Sequence, residues 1–556
     1  MDEAFYPTIA YRFLQGDRIL YDEWSNTQLS ALIIMPFIKL YLAFNGGTDG
    51  IYLFLRYSYT VLKLILSIFI FVCLKKKYGD GKAFFVTIVF FVFAGYGLMV
   101  ISYNTIAIAG FTIFVFLLML SLDSVSGWAT RILAGVSLSI SVLGIPYMAG
   151  IYLFYAFVVL FVKLTHRGHG GIRSFYSRKN LEGVTLGIAI SAIIFLIYTL
   201  HHSSLGQIVQ TIPQILNGDP SHSRKGIYQS TVAFIVRIIW GNQRNTYLLF
   251  VYALICLTCL CFFFDKQREA HRKIYLVAAA GLGFVLLLVY ILTDNYINNV
   301  IFVPNVVALL IAIFSNDKRI KELFACIWLP GMIFTYLEYL ASNTGFYGIA
   351  AASCVATIGS VMIIMIAAET YFSGVYARIP LYAFCVTTMV CCIFYRFTYV
   401  FWEDGGLPSL DTWVTHGVAA GIIATTEETE HYETLISDVS AIQRLPEDRR
   451  VLYIGDKLLW LAGTQRCASY SPLCYSITSD RSILYEYYRV HPDMIADVVF
   501  IEKEFGSELT YEIADTLGYS CSEVSSGWML TKDKDSLHTI VDKKDYQGRE
   551  CEHAGK

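Results

Sequence analysis

Long apolar runs recur through most of this chain and confine it to a membrane fold. Twelve such runs follow one another, each of about 20 residues, which is the length that a helix needs to cross a bilayer. Charged residues make up only 15% of the 556 residues, whereas a soluble protein carries about 25%. The predicted fold class is therefore a polytopic α-helical membrane protein. The predicted spans are residues 51–74, 83–102, 105–122, 129–146, 148–164, 182–200, 246–264, 274–293, 297–315, 321–340, 346–368 and 377–401.

Basic residues alternate between the connecting loops, and this alternation predicts the orientation of the chain. Every second loop is rich in Lys and Arg, whereas the others are short or nearly neutral, apart from a long loop at 201–245. Because cytoplasmic loops carry the excess of positive charge, both termini and loop 201–245 are predicted to be extracytoplasmic. The basic residues are Lys75, Lys76, Lys77, Lys82, Lys163, Arg167, Arg173, Arg178, Lys179, Lys266, Arg268, Arg272, Lys273, Lys318, Arg319, Lys321 and Arg378.

The two ends of the chain differ from its apolar middle. Residues 28–45 are apolar, but they are short for a span and contain a proline and a lysine, so we interpret them as an interfacial or re-entrant helix. From about residue 403 the charge rises, and residues 451–456 and 497–501 have the pattern of buried strands. The predicted organisation is an extracytoplasmic catalytic-type loop with the interfacial helix (1–50), a transmembrane domain of about twelve helices (51–402) and an extracytoplasmic α/β domain (403–556).

Charged and polar side chains gather before the first span and in the predicted outer loops. Transfer of a glycosyl group from a lipid phosphate needs a carboxylate base for the acceptor and cations for the phosphate, and both residue types fall on the same predicted face. The acidic pairs also fit solvated helix starts, and the basic pair of the long loop also fits a hydrated turn, so both interpretations stay open. The candidate residues are Asp2, Glu3, Asp22, Glu23, Arg56, Asn104, Arg224 and Lys225.

An acidic pair opens a motif that extends over about the first 60 residues. The motif reads Asp2-Glu3-Ala4-Phe5-Tyr6, then Ala10, Gly16 and Tyr21-Asp22, followed by a glycine turn at Gly46-Gly47 and by Arg56. This pattern resembles the outer loop that follows the first transmembrane helix in the GT-C class of membrane glycosyltransferases, which contains the protein O-mannosyltransferases and the lipid A aminoarabinose transferase. The alternating spans and the C-terminal α/β domain are similar to that class as well.

The resemblance implies specific roles and also shows two departures. It implies that Asp2 is the catalytic carboxylate, with Glu3 as its neighbour, and that Arg56 is the arginine of the following span. Family members often place a second acid where Asn104 stands, and an amide is a poorer cation ligand than a carboxylate, so a divalent metal has weak support and no other cofactor is expected. The family's first helix precedes the acidic pair, so we expect Met1 to be an internal start or a truncation of a longer protein.

The leading prediction is a glycosyltransferase of the hexosyltransferase type that works in cell-envelope polysaccharide assembly. Its predicted partners are a polyprenyl-phosphate sugar donor, the lipid bilayer and a glycan, lipid or protein acceptor, and a nucleic acid is not expected. Two alternatives stay open, namely a non-catalytic scaffold of the same fold and a carrier or flippase for lipid-linked saccharides. Carriers usually place charges in mid-membrane and show paired repeats, and this sequence has few central charges and no evident repeat.

Overall fold

The described chain is mostly helical. The structure is a computed structural model that describes residues 2–123, 127–165, 170–217, 226–240, 246–293, 300–342, 345–400, 406–472, 477 and 481–532. The first helices are α1 (Asp2–Leu14), α2 (Ala31–Asn45), α3 (Ile51–Tyr78), α4 (Asp80–Val92), α5 (Tyr103–Leu120), α6 (Trp128–Gly144), α7 (Ala149–Thr165), α8 (Gly170–Phe175), α9 (Arg178–His202), α10 (Leu205–Asn217) and α11 (Ile227–Trp240). They continue with α12 (Thr246–Phe264), α13 (Arg268–Thr293), α14 (Val303–Phe314), α15 (Lys318–Leu323), α16 (Leu329–Ala341), α17 (Gly345–Ala352), α18 (Cys354–Tyr371) and α19 (Val375–Thr398).

The helices confirm the predicted class of a multi-pass membrane protein. Among the described residues, ten helices are long and apolar enough to cross a membrane by length and composition, and three shorter apolar helices accompany them. Two helices, α10 and α11, occupy most of the predicted long loop at 201–245. Both helices are amphipathic, and their glutamine, serine and arginine residues interrupt the continuous apolar runs that predict membrane spans.

The predicted span at 83–102 is not a continuous helix. The helix α4 ends at Val92, and Phe93 takes an extended conformation at φ −71° and ψ 128°. Residues 93–102, which we call the irregular segment, then run as a short 3-10 turn and extended chain to Ser102, which caps α5 by accepting the N–H of Thr105 at 3.3 Å. Most of the irregular segment is buried, which fits the rule that non-helical backbone at membrane depth is enclosed by protein or lines a cavity.

The C-terminal region forms the predicted α/β unit. Its larger sheet has the strand order β4-β3-β5-β7-β6, in which β3 pairs in parallel with β4 and β5, while β7 is antiparallel to β5 and β6. Strands β3 and β5 are the two that the sequence predicts. The elements are β1 (Thr412–Trp413), β2 (Ile423–Ala424), α20 (Thr426–Gln443), β3 (Arg450–Ile454), α21 (Leu459–Ala462), β4 (Arg466–Cys467), α22 (Ser482–Val490), β5 (Val498–Glu502), α23 (Ser507–Leu517), β6 (Ser520–Glu523) and β7 (Gly527–Thr531).

The N-terminal segment and the C-terminal unit share one hydrophobic core. Apolar residues of α1, α2 and the start of α3 pack in the same cluster as those of the five-stranded sheet. The backbone N–H of Trp24 donates to the carbonyl of Tyr470 at 2.8 Å, and the N–H of Gly50 donates to the carbonyl of Gly417 at 2.9 Å. The chain segments before and after α2 therefore both contact the C-terminal unit. We call this end of the membrane domain the domain face and the other end the basic face.

Close packing between α6 and α9 depends on glycines. A Cβ added to Gly187 would lie 2.1 Å from the carbonyl oxygen of Ile132, and one added to Gly135 would lie 2.2 Å from that of Val184. Gly183 and Gly187 also form the small-xxx-small pattern that lets membrane helices approach closely. The backbones of α6 and α9 therefore pack closely against each other.

We expect Gly187→Ala to lower the stability of the protein by about 1–3 kcal/mol, the usual cost of overpacking. The backbone of α6 has to move because the clash involves a carbonyl rather than a flexible side chain. Thermal unfolding in detergent measures the effect. The matched control is Gly281→Ala, where nothing lies within 4 Å of the added Cβ; an equal loss of stability in both variants would contradict the expectation.

Candidate active site

Glu3 and Arg56 form an ion pair where α1 meets the first turns of α3. The Oε2 of Glu3 accepts hydrogen bonds from the Nε and Nη2 of Arg56, at 3.1 and 2.6 Å, and from the hydroxyl of Tyr52. Its Oε1 accepts the backbone N–H of Met99 at 2.6 Å. The Glu3 side chain is buried, and both of its oxygens are engaged. Such charge-assisted bonds fix the orientation of the Arg56 guanidinium.

Two further cations, Lys63 and Arg396, lie close to this ion pair. Lys63 is two turns after Arg56 on α3, which places it about 18 Å along the helix axis from Ile51, the first residue of the helix. Its ammonium donates a hydrogen bond to the carbonyl of Phe93. The Nη1 of Arg396, near the end of α19, points to the Sδ of Met99 at 2.6 Å. Arg396 interacts electrostatically with both other cations. We call Arg56, Lys63 and Arg396 the cationic cluster.

Two members of the cationic cluster, Lys63 and Arg396, form no ion pair with a carboxylate among the described residues. Among the described residues, Glu3 is the one carboxylate that forms an ion pair with a member of the cluster. Lys63 is only 7% exposed, and a cavity of about 30 Å³ lies beside it and Tyr59, large enough for about one water molecule. Because an uncompensated charge inside a membrane protein is costly, such charges usually mark a functional site.

The second acidic pair, Asp22-Glu23, is enclosed by the C-terminal unit. Neither side chain has exposed surface. Arg12, which is 1% exposed, donates from its Nε to Asp17 at 2.7 Å, from Nη1 to Glu23, and from Nη2 to a carbonyl of the C-terminal unit at 2.7 Å. Arg18 donates to both oxygens of Asp22 at 2.9 Å. We call Arg12, Asp17 and Glu23 the buried triad.

Burial governs the titration of the buried triad. It raises the pKa of the Glu23 carboxyl from 4.5 to about 7, with the Arg12 cation acting in the opposite direction. Burial likewise raises the pKa of Asp17, again against the effect of Arg12. Through Arg12 the triad joins the loop after α1 to the C-terminal unit, and in this way it stabilises the contact between the two parts of the chain. That Asp22 and Glu23 bind substrate stays a prediction, and in this structure both carboxylates are closed off from solvent.

The structure describes some of the remaining predicted site residues and not others. Asp2 is the first residue of α1, directly before Glu3, and its side chain lies outside the described part of the chain. Asn104 is buried in the first turn of α5, immediately after the irregular segment. Arg224 and Lys225 lie outside the described residues.

Sequence reasoning gave no functional role to Arg396. In the sequence, Arg396 is a single arginine close to the end of the last span. Many spans carry a charged residue there that faces lipid headgroups, so its position alone does not indicate a functional site. Lys63 was recognisable as a lysine within a span, but not as a neighbour of Arg396. Among the described residues, no group of three or more His, Cys, Asp or Glu could hold a metal ion.

Two of the solved proteins that the chain is similar to, AglB and ArnT, are GT-C glycosyltransferases. The archaeal oligosaccharyltransferase AglB from Archaeoglobus fulgidus, in complex with an inhibitory peptide and a dolichol-phosphate, matches over 98% of this chain and 71% of its own, with 13% identity and a TM-score of 0.45. ArnT from Cupriavidus metallidurans bound to undecaprenyl phosphate matches over 96% of this chain and 94% of its own, with 10% identity and a TM-score of 0.38. No family model and no curated protein sequence matches the chain. The likeness is distant, and it is the cationic cluster that bears on function.

Proposed function

We propose that the protein is an integral-membrane glycosyltransferase that moves a sugar from a polyprenyl-phosphate donor to an acceptor at the domain face. The observation that carries this proposal is the cationic cluster. Arg56, Lys63 and Arg396 meet next to the irregular segment, and Glu3 is the one described carboxylate that pairs with them. A bound phosphate supplies the missing negative charge, and the apolar surfaces around the membrane domain suit the polyprenyl chain.

The cationic cluster suits the charge that develops during the reaction. In a polyprenyl-phosphate sugar the phosphate is a diester with one negative charge. When the acceptor oxygen attacks the anomeric carbon, the bond from that carbon to the phosphate oxygen breaks, and the bonding electrons stay on the phosphate. The leaving monoester then carries up to two negative charges. Fixed cations therefore stabilise the transition state more than the bound donor, which is the condition for catalysis.

The acceptor hydroxyl has to lose a proton in the same step. We assign the general base to Asp2, which begins α1 beside the anchored Glu3, and we assign Glu3 the positioning of Arg56. The domain face is proposed to be extracytoplasmic, because Lys75, Lys76 and Lys77 lie in the last turn of α3 at the opposite face. The acceptor is a glycan, a lipid or a protein of the cell envelope.

We expect Arg396→Gln to weaken the binding of polyprenyl phosphate about tenfold, the equivalent of one lost charge-assisted hydrogen bond at about 1.4 kcal/mol. Arg396 belongs to the site because it reaches the irregular segment and interacts with both other cations. A fluorescent polyprenyl phosphate titrated against the purified protein in detergent measures the affinity. The control is Arg378→Gln on the same helix, since Arg378 bonds to a carbonyl at the far end of α19.

Function itself is tested by incubating the purified protein with a polyprenyl-phosphate sugar and envelope acceptors. The proposal expects sugar to appear on an acceptor and polyprenyl phosphate to be released in equal amount. Equal effects of the Arg378 and Arg396 variants would remove the cationic cluster as the phosphate site. Movement of the intact donor across a vesicle membrane without transfer would instead support a carrier. Tight donor binding with neither transfer nor movement would support a scaffold.

A further inference from the structure

A second polar cavity lies at the basic face, at the opposite end of the membrane domain from the cationic cluster. It has a volume of about 270 Å³ and opens where α5 ends and where α6 and α9 begin. Three cations line it, Arg131, Arg173 and Lys179, together with serine hydroxyls. Among the described residues that line the cavity there is no carboxylate. A concave surface of this composition suits an anion.

A buried amide holds the walls of this cavity together. Asn180, in the first turn of α9, is 1% exposed. Its Nδ2 donates to the Oγ of Ser121 and to the carbonyl of Ser174, both at 2.9 Å, and to the carbonyl of Phe175 at 3.1 Å. Its Oδ1 accepts the Nε of Arg131 at 2.9 Å. The amide therefore joins four helix ends and fixes one of the three cations before any ligand arrives.

The guanidinium of Arg131 keeps bonding capacity toward the cavity. Its Nε is used by Asn180, whereas its Nη1 and Nη2 form no hydrogen bond within the described part of the chain. Lys179 likewise forms no ion pair among the described residues, in contrast to its neighbour Arg178, which is bonded to Glu182 at 2.7 Å. Two adjacent basic residues of α9 thus differ in their partners, and the one without a described carboxylate is the one that lines the cavity.

We propose that this cavity binds a phosphate monoester. Its two negative charges and three terminal oxygens match a basin with two guanidinium groups, one ammonium and several hydroxyls. Such a group is carried by an anionic lipid such as phosphatidic acid or by a soluble ester such as glycerol 3-phosphate. Trp128, one turn before Arg131, is 51% exposed, as tryptophans at a membrane interface usually are. That position favours the lipid as the source. The site is separate from the proposed donor site.

Binding is tested with the purified full chain in detergent. The probes are short-chain phosphatidic acid and glycerol 3-phosphate, and the control lipid is phosphatidylcholine, a phosphodiester with no net charge. We expect saturable binding of a monoester probe, and a roughly tenfold weaker affinity in Lys179→Gln and in Arg173→Gln, as for the loss of one charge-assisted bond. The matched control is Arg178→Gln, which leaves the affinity unchanged because Arg178 does not line the cavity. All three side chains are exposed, so the variants retain the fold.

The outcomes separate the two sources and the failure of the proposal. Binding of phosphatidic acid alone identifies a lipid site, and binding of glycerol 3-phosphate at similar affinity identifies a soluble ligand; both support a monoester site. Three results would overturn it: no saturable binding of either monoester, equal binding of phosphatidylcholine, or the same loss of affinity in Arg178→Gln as in Lys179→Gln. None of these results depends on sugar transfer, so the proposed function stands or falls separately.

Discussion

Asp2→Asn is expected to lower the turnover number for sugar transfer by a factor of about 10² to 10⁴, the usual contribution of a general base, while the affinity for polyprenyl phosphate is expected to stay nearly unchanged. An asparagine keeps the size of the side chain and loses the ability to take up the acceptor proton. The variant is therefore expected to bind the donor and to fail in the chemical step. Transfer from a radiolabelled donor and direct binding of polyprenyl phosphate, measured on the same preparation, separate the two effects.

The assignment of the base to Asp2 follows from the engagement of Glu3. Both oxygens of Glu3 accept hydrogen bonds, from Arg56, Tyr52 and the backbone of Met99. A group bound in this way positions its neighbours, and a general base has to reach the acceptor instead. Asp2 is one residue earlier on the same helix. The anchored Glu3 thus holds the start of α1 at the cationic cluster.

The contrasting variant Glu3→Gln separates positioning from proton transfer. A glutamine there no longer balances Arg56, so we expect weaker ordering of that guanidinium and a change in donor affinity, whereas the proton acceptor remains. An Asp2→Asn protein that keeps full turnover would eliminate the proposed base. A Glu3→Gln protein that loses turnover with unchanged donor affinity would exchange the roles of the two carboxylates.

The class of the fold could be predicted from the sequence because hydropathy records it directly. Apolar runs give the spans, and the buried strands β3 and β5 stand out as short apolar segments in a charged region. The break at Phe93 is not visible in this way, because the irregular segment is as apolar as the helix before it. Its conformation depends on distant partners, namely the ammonium of Lys63 and the carboxylate of Glu3.

The site was partly predictable for a similar reason. Glu3 and Arg56 belong to one contiguous motif, and the structure pairs them. Arg396 is 340 positions after Arg56, and only the packing of the last helix brings it to the same segment. Glu23 shows the opposite case, since its neighbours along the chain suggest a hydrated loop. Residues of the C-terminal unit bury it, and a single sequence does not show that they meet.

Arg12→Met destabilises the protein by about 3–5 kcal/mol, the usual cost of removing one partner of a buried ion pair. Methionine fills the volume of the arginine stem, but it leaves Asp17 and Glu23 buried without their shared cation. It also removes the bond to the carbonyl of Ser469. The contact between the N-terminal segment and the C-terminal unit weakens first, so proteolysis near residues 15–30 is expected to accompany a lower melting temperature.

Arg489→Met is the control, because Arg489 pairs with Glu486 on an exposed surface, where such pairs contribute about 0–1 kcal/mol.

The Arg12→Met defect also has a predicted pH dependence. Burial already raises the pKa of Glu23 from 4.5 to about 7 against the opposing effect of Arg12, and loss of that cation raises it further. The folded state then binds more protons at Glu23 than the unfolded state does. The contribution of Glu23 to the free energy of unfolding is therefore fully present below pH 4.5 and is lost as the pH rises through the pKa of Glu23 in the folded state. The variant is therefore expected to approach the wild type at pH 5.5 and to fall furthest below it at pH 8.5. Melting temperatures across that range measure the difference. A defect of the same size at both ends would show that lost packing, rather than uncompensated charge, is what Arg12 prevents.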